Sequence, residues 1–133
     1  MNMLKIATAG VIWKEGHILI AKRSKDQFWE FPGGHIESGE TPEQCLVREM
    51  KEELNIIVKV EKLLGKIEGY FRGRNMVLYA FQAQWAEGLP ELRVHSEISW
   101  IDPGRMHEFS FIDEDREIVK ILKPLTDKTD SPS

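Results

Sequence analysis

The sequence predicts an α+β fold in which a mixed β-sheet is covered by helices. Short runs of β-branched and apolar residues, typical of strands, lie on both sides of one strongly capped helical segment. A second amphipathic segment follows near the end of the chain. Strands grouped around two helices in this way indicate a mixed sheet.

One domain accounts for the whole length. The chain has 133 residues, 41% of them hydrophobic and 30% charged, which is ordinary for a single globular domain. It contains no internal repeat and no low-complexity tract. We expect residues 1–125 to form the domain and the polar residues 126–133 to form a flexible C-terminal tail.

The first elements are strands. Residues 5–13 and 17–21 are apolar and β-branched, and the break at residues 14–16 predicts a β-hairpin. Residues 24–27 are polar, and residues 31–34 have the sequence Phe-Pro-Gly-Gly. Proline lacks a backbone N–H and paired glycines leave the backbone unconstrained, so we expect both segments to be loop.

The best-specified element is a helix over residues 42–54. Thr41 can cap it, proline suits its first position, and Gln44 completes a T-x-x-Q capping box. Asn55 is expected to end it, because asparagine accepts the left-handed conformation found just past a helix C-terminus. The expected buried stripe consists of Leu46, Val47, Met50 and Leu54.

Three strands and a second helix are predicted after this helix. Residues 56–67 and 76–85 have strand composition, with residues 72–75 as the turn between them. Residues 98–101 predict a short strand. Residues 113–122 carry apolar side chains at helical spacing and predict the last helix.

The charge balance and cysteine content exclude several classes of protein. Twenty-two acidic against eighteen basic residues give a net charge of −4, so nucleic acid and anionic membrane are not expected partners. Cys45 alone cannot form an internal disulfide, and no apolar run approaches the ~18 to 20 residues that span a bilayer. The first residues lack a secretory pattern. We therefore expect a cytoplasmic protein.

Three glutamates on the first helix predict a metal site. Glu49, Glu52 and Glu53 stand at positions i, i+3 and i+4, so their side chains share one face. Their repulsion should raise at least one carboxyl pKa unless a cation lies among them, and such hard oxygen ligands suit Mg²⁺ or Mn²⁺. A solvated acidic helix face is the alternative. The nearby glycine-rich turn and Glu40 favour the metal site.

The segment 34–56, GHIESGETPEQCLVREMKEELNI, resembles the Nudix box, G-x5-E-x7-R-E-U-x-E-E-x-G-U with U aliphatic. Asn55 stands where the family has its last glycine, and it can preserve the turn because it also accepts the left-handed conformation. Matching residues are Gly34, Glu40, Arg48, Glu49, Met50, Glu52, Glu53 and Ile56. Outside the box, the chain is similar to the MutT-like nucleoside triphosphate pyrophosphohydrolases.

The resemblance implies a Nudix-type α/β/α sandwich, with a mixed curved sheet between helices. It implies that water attacks a phosphorus atom of an unmodified or oxidised nucleoside triphosphate, giving the monophosphate and pyrophosphate. The implied cofactor is Mg²⁺, with Mn²⁺ as an alternative. A polyphosphate and three carboxylates repel each other, so cations between them would be a condition of binding as well as catalysis.

The resemblance also implies roles for individual residues. Glu49, Glu52 and Glu53 would ligate the metal together with the backbone carbonyl of Gly33 and with Glu97. Glu53 is the favoured general base, and Glu97 is the second candidate. The sequence alone does not decide between them, because coupled carboxylates titrate as a group.

Three further residues complete the expected site. Arg48 would either orient a box carboxylate, which we favour, or reach a phosphate. Arg23 matches a position that contacts phosphate in MutT-like enzymes, and an ordinary surface arginine is the alternative. Glu40 is expected to be structural or a distant metal contact.

The expected base pocket centres on Asp115, with Phe31 lending backbone polar groups and Tyr79 or Phe81 an apolar wall. Ordinary core positions are the favoured alternative for the two aromatic residues. Asp113 is the alternative to Asp115, because one gap in the alignment would exchange them. A carboxylate accepts from an exocyclic amine, which favours cytosine or adenine over an unmodified keto edge.

Two alternatives to triphosphate hydrolysis remain open at this point. The box specifies the diphosphate chemistry and not the attached group, so ADP-ribose, dinucleoside polyphosphates and capped RNA are also candidate substrates. A nucleotide-sensing module without turnover is the second alternative. The complete acidic set argues against it, because a sensor could lose the repulsive glutamates and become more stable. The oligomeric state is not predicted.

Overall fold

A mixed sheet lies between two α-helices. The computed structural model describes residues 4–129, and the side chains of residues 4–123. In this part of the chain the strands are β1 (Lys5–Lys14), β2 (His17–Arg23), β3 (Trp29–Glu30), β4 (Gly33–His35), β5 (Ile57–Phe71), β6 (Arg74–Glu87) and β7 (His95–Ile101). The helices are α1 (Pro42–Leu54), a 3-10 helix (Pro103–Glu108) and α2 (Asp113–Thr129).

The strand order is β3-β2-β1-β6-β5, and β4 and β7 pair with β1 and β2 respectively. β1 and β6 run parallel, with Lys5 opposite Met76 and Trp13 opposite Gln84. The other strand pairs are antiparallel. The sheet is therefore mixed, and the predicted α+β class is confirmed.

Alternation along β1 divides the core between the two faces of the sheet. Ala7 and Ala9 belong to the cluster that α2 covers with Ile118. Ile12 belongs to the cluster that α1 covers. The α1 cluster consists of Ile12, Leu19, Leu46, Met50, Leu54, Ile56, Val58, Phe81 and Ala83. One sheet thus supports a separate helix on each face, which gives the α/β/α layering.

Helix α1 has its predicted bounds and caps. Gln44 N–H donates to Thr41 Oγ1 at 3.1 Å, and Thr41 N–H donates to Gln44 Oε1 at 3.0 Å. Asn55 has a φ of 56° and is the left-handed cap. The expected stripe was wrong at one position: Val47 is 38% exposed, and Cys45 lies in the buried set instead, on the side of the helix facing the sheet.

The loop predicted for residues 31–34 was wrong in its second half. Gly33–His35 forms β4 and pairs with β1, with Gly34 opposite Thr8. A Cβ at Gly33 would overlap the Thr8 carbonyl, so the glycine allows an approach that other residues would prevent. Trp29–Glu30 also pairs, as β3, with β2.

Several elements extend beyond their predicted bounds. β5 and β6 continue to a two-residue turn, Arg72 and Gly73, both with positive φ. The last helix extends to Thr129. Residues 130–133 lie outside the described residues, and the flexible C-terminal tail stays a prediction. The 3-10 helix was not predicted. No helix within residues 4–129 is long and apolar enough to cross a membrane.

Candidate active site

The Arg48 guanidinium lies among the box carboxylates. Its Nε and Nη2 donate to the two oxygens of Glu40 at 2.6 and 3.0 Å. Its Nη1 donates to Glu49 Oε1 at 2.6 Å and to Glu52 Oε2 at 3.0 Å. The hydrogen bonds from Arg48 lower the pKa of Glu40 to about 2. One cation thus offsets the repulsion among three acids, and Glu40 serves as its bidentate anchor.

Glu53 is not among the contacts of Arg48. It is largely buried, and its Oε1 has no hydrogen-bond partner among the described residues. Burial, a hydrogen bond with Glu49 and the negative charges of Glu49, Glu30 and Glu52 raise the pKa of Glu53 to about 9. This raised pKa favours the protonated carboxyl near neutral pH, which can donate to Glu49.

The Glu49 carboxylate lies against the backbone of β4. Its side chain is 14% exposed. A Cβ at Gly34 would overlap this carboxylate, so the glycine is required for the close approach. Because Gly33 precedes Gly34 in the same strand, the expected backbone ligand belongs to the segment that borders Glu49.

The oxygen donors here fit a divalent cation. Carboxylate and carbonyl oxygens are the ligands that Mg²⁺ and Mn²⁺ prefer. Glu53 Oε1 is buried without a hydrogen-bond partner in the described part of the chain, and the Glu52 side chain is 59% exposed. Among the described residues, no group of three or more His, Cys, Asp or Glu side chains is arranged to hold a metal ion as it stands. Arg48 and the Glu49–Glu53 hydrogen bond engage these carboxylates instead.

A pocket on the α2 side of the sheet contains the expected base-reading residue. Asp115 is 3% exposed, and its Oδ2 accepts a hydrogen bond from the Phe31 backbone N–H at 2.8 Å. Burial raises the pKa of Asp115 well above its ordinary value and favours the protonated acid. The small side chains of Ala7 and Ala9 leave room beside this acid, with Leu78 in the same wall.

The structure separates the alternatives proposed for this pocket. Asp113 is exposed, lies within 3.7 Å of Arg116 and does not line the pocket. Tyr79 and Phe81 were expected as an apolar wall, and that expectation was wrong. They face α1, on the opposite side of the sheet, because alternate residues of β6 point to opposite faces.

An ion pair that the sequence analysis missed closes one side of the pocket. Arg72 Nε donates to Glu114 Oε1 at 2.8 Å, and Arg72 Nη2 donates to Glu114 Oε2. Burial acts to raise the pKa of Glu114, but the hydrogen bonds and charge of Arg72 outweigh it and lower that pKa. No local pattern pairs these residues, which are 42 positions apart.

A second cleft beside Glu53 contains Arg23 and two further residues that the sequence analysis missed. Glu30 and His95 join through a contact of 2.7 Å between Oε2 and Nε2. Arg23 Nη1 donates to Glu30 Oε1 at 3.4 Å. The cleft is lined by Arg23, Ser24, Lys25, Glu30, Glu53, Val94 and His95.

Glu97 lies on β7, outside the cluster of α1 glutamates. Its side chain is 57% exposed, and its nearest described charge is Lys22 at 3.9 Å. It pairs with Lys22 in the ladder between β7 and β2 and does not line the Glu53 cleft. Within residues 4–129, no described contact joins Glu97 to Glu49, Glu52 or Glu53. Its metal and catalytic roles therefore stay predictions.

The fold and this site define a hydrolase with an acidic helix, α1, and a pocket around Asp115. The model of the NUDIX domain matches residues 3–122. The chain is 32% identical over 129 residues to the 8-oxo-dGTP diphosphatase of Escherichia coli, covering 94% of this chain and 100% of the relative. It is 30% identical over 129 residues to the CTP pyrophosphohydrolase of the same organism, covering 94% of this chain and 95% of the relative.

The structural comparison gives the same fold. The solution structure of the E. coli ORF135 protein has a TM-score of 0.82 at 26% identity, covering 98% of this chain and 96% of that one. The MutT Nudix hydrolase of Burkholderia pseudomallei has a TM-score of 0.81 at 22% identity, covering 91% and 99%. The chain belongs to the Nudix family. It is a MutT-like Nudix hydrolase, a family whose members generally use divalent metal ions.

Proposed function

We propose that this protein hydrolyses nucleoside triphosphates to the monophosphate and pyrophosphate, using Mg²⁺. One observation carries the proposal: the unpartnered Oε1 of Glu53 lies beside Glu49 on α1, and β4 connects this cluster to the Asp115 pocket. A nucleotide with its base beside Asp115 can direct its phosphates along β4 toward the glutamates. Similarity to relatives named 8-oxo-dGTP diphosphatase and CTP pyrophosphohydrolase supports this substrate class.

The cation would be held by the Gly33 carbonyl and by three glutamates of α1, Glu49, Glu52 and Glu53. A bound divalent ion neutralises phosphate oxygens and lowers the pKa of water. Arg48 keeps Glu49 and Glu52 oriented through its hydrogen bonds. Glu53 acts as general base at Oε1. To do so Glu53 must be ionised, so a cation held beside it would have to lower its pKa and release its proton to solvent.

Asp115 is proposed to select the base. In its protonated form the acid presents one O–H donor, while its other oxygen accepts from Phe31. Because a carbonyl oxygen has two lone pairs, that oxygen can also accept from an amine. This donor and acceptor match a base edge that carries an amine beside an unprotonated ring nitrogen. Cytosine and adenine present such an edge. Arg23 is proposed to contact phosphate where the pocket and the Glu53 cleft meet.

The test is a hydrolysis screen with identified products. Purified protein with MgCl₂ is given unmodified and oxidised nucleoside triphosphates, nucleotide sugars and dinucleoside polyphosphates. We expect a monophosphate and pyrophosphate from triphosphates, loss of turnover in EDTA, and a decrease of at least about 100-fold in kcat for Glu53→Gln. Equal activity of that variant contradicts the role of Glu53, and turnover of ADP-ribose or dinucleotides alone contradicts the substrate class. Nucleotide binding without turnover would favour the sensing alternative.

A further inference from the structure

His95, Glu30 and Arg23 lie on three adjacent strands and on one face of the sheet. His95 on β7 is directly opposite Arg23 on β2. Glu30 on β3 is opposite Ala21, two residues before Arg23 and therefore on the same face. Because Ala21 carries only a methyl group, the two longer side chains can meet across β2.

The contacts tie this group together through Glu30. Its Oε2 accepts from His95 Nε2 at 2.7 Å, and its Oε1 accepts from Arg23 Nη1 at 3.4 Å. On its other side, Arg23 Nε donates to Asp26 Oδ1 at 3.1 Å. The guanidinium is thus held by a carboxylate on each side, and the His95 side chain is only 3% exposed.

Arg23 and Glu30 lie at the boundary between the two cavities of the site. Arg23 and Glu30 line both the Asp115 pocket and the Glu53 cleft, whereas His95 lines only the cleft. In the proposed function, Arg23 contacts the phosphates of the nucleotide at this boundary. A guanidinium that is fixed here needs little reorganisation to bind an anion, which lowers the entropic cost of binding.

We propose that His95 is a positioning residue, which fixes the guanidinium of Arg23 at the boundary between the two cavities by holding Glu30. Because its side chain is only 3% exposed, His95 acts through Glu30 rather than on the substrate. The kinetic consequence rests on the proposed function, but the position of Arg23 does not. A merely structural contact between β3 and β7 would affect stability and leave both Arg23 and KM unchanged.

The first measurement is independent of activity. In protein labelled with ¹⁵N-arginine, the Nε–H cross-peak of Arg23 is assigned by its loss in Arg23→Lys. We expect it to shift or broaden in His95→Leu and to return in His95→Gln, whose amide can donate in place of Nε2. His17→Leu is the matched control, since His17 is exposed at the other end of β2. An unchanged Arg23 cross-peak in His95→Leu overturns the proposal.

The second measurement is steady-state kinetics with a nucleoside triphosphate and MgCl₂. We expect His95→Leu to raise KM about tenfold with kcat changed less than about twofold, and His95→Gln to recover most of the loss. Adding His95→Leu to Arg23→Ala should have no further effect, because both act through one guanidinium. Additive effects overturn the proposal.

The test also covers a variant that does not fold and a wild-type protein that lacks activity. If His95→Leu does not fold, Glu30→Gln replaces it, because that change keeps the size of the side chain and removes its charge. If the wild-type protein hydrolyses no nucleotide, the proposed function fails, and the NMR measurement still decides whether His95 positions Arg23.

Discussion

The Cα of Gly34 lies so close to the Glu49 carboxylate that even a methyl group at residue 34 would overlap it. The contact joins β4 to α1. It fixes the Glu49 carboxylate relative to the backbone of Gly33, another expected metal ligand. The glycine at the start of the Nudix box is therefore explained here by contact rather than by backbone conformation. Gly34 is not among the described residues with positive φ.

Gly34→Ala should abolish most activity. The added methyl group must displace the Glu49 carboxylate or separate β4 from α1, at a cost of roughly 1 to 3 kcal/mol in stability. We expect kcat/KM to fall at least about tenfold, since small displacements of catalytic groups cost that much or more. Gly65→Ala is the control, because there the methyl group would meet only the flexible end of Ile121. Equal losses of activity in the two variants would contradict the interpretation.

Arg48→Lys should destabilise the protein at neutral pH. Lysine cannot reproduce the bidentate contact with Glu40 while also donating to Glu49. In the folded state the pKa of Glu40 is about 2, below the ordinary glutamate value of 4.5, so its contribution to stability is present above pH 4.5. That contribution is lost as the pH falls toward 2.

The measurement is thermal unfolding of wild type and Arg48→Lys across this range of pH. The difference in Tm should be full above about pH 5 and should narrow toward pH 2. Arg105→Lys is the control, because Arg105 makes a comparable fork with Glu108 on an exposed surface. A difference in Tm that stays constant with pH would show that Glu40 is not involved.

Local elements of this fold were predictable, and contacts between distant segments were not. Thr41, Gln44 and Asn55 act within a few residues of the helix ends that they cap, so their effect can be seen in the sequence. β4 was missed because its pairing depends on a contact between Gly33 and Thr8, which local propensity does not contain. His95 and Glu30 were missed for the same reason, since they are 65 positions apart.

Asp115→Ala should change the preference among bases. Removing the acid removes both its donor and its acceptor, so the preference for cytosine or adenine triphosphates over guanine or uracil should decrease about tenfold. Asp115→Asn should keep much of the preference, because an amide also offers one donor and one acceptor. Steady-state kcat/KM values for the four triphosphates test both. Asp113→Ala is the control, and an unchanged order in Asp115→Ala would place base recognition elsewhere.

Glu53→Gln should raise stability at alkaline pH while lowering activity. The folded-state pKa of Glu53 is about 9 and the ordinary glutamate value is 4.5, so the folded protein binds this proton more tightly than the unfolded chain does. Stability is therefore lost as the pH rises from about 4.5, and the loss is complete above about 9. Glutamine has no proton to lose and avoids this penalty.

Thermal unfolding in EDTA measures the effect without bound cations. We expect the Tm of Glu53→Gln to match that of wild type near pH 5 and to exceed it by at least about 3 °C at pH 9. A shift of this size requires a difference in unfolding free energy of only roughly 1 kcal/mol in a domain of this length. Glu52→Gln is the control, since the Glu52 side chain is 59% exposed and lacks this burial. If the two variants behave alike at pH 9, the perturbation does not come from the buried position of Glu53.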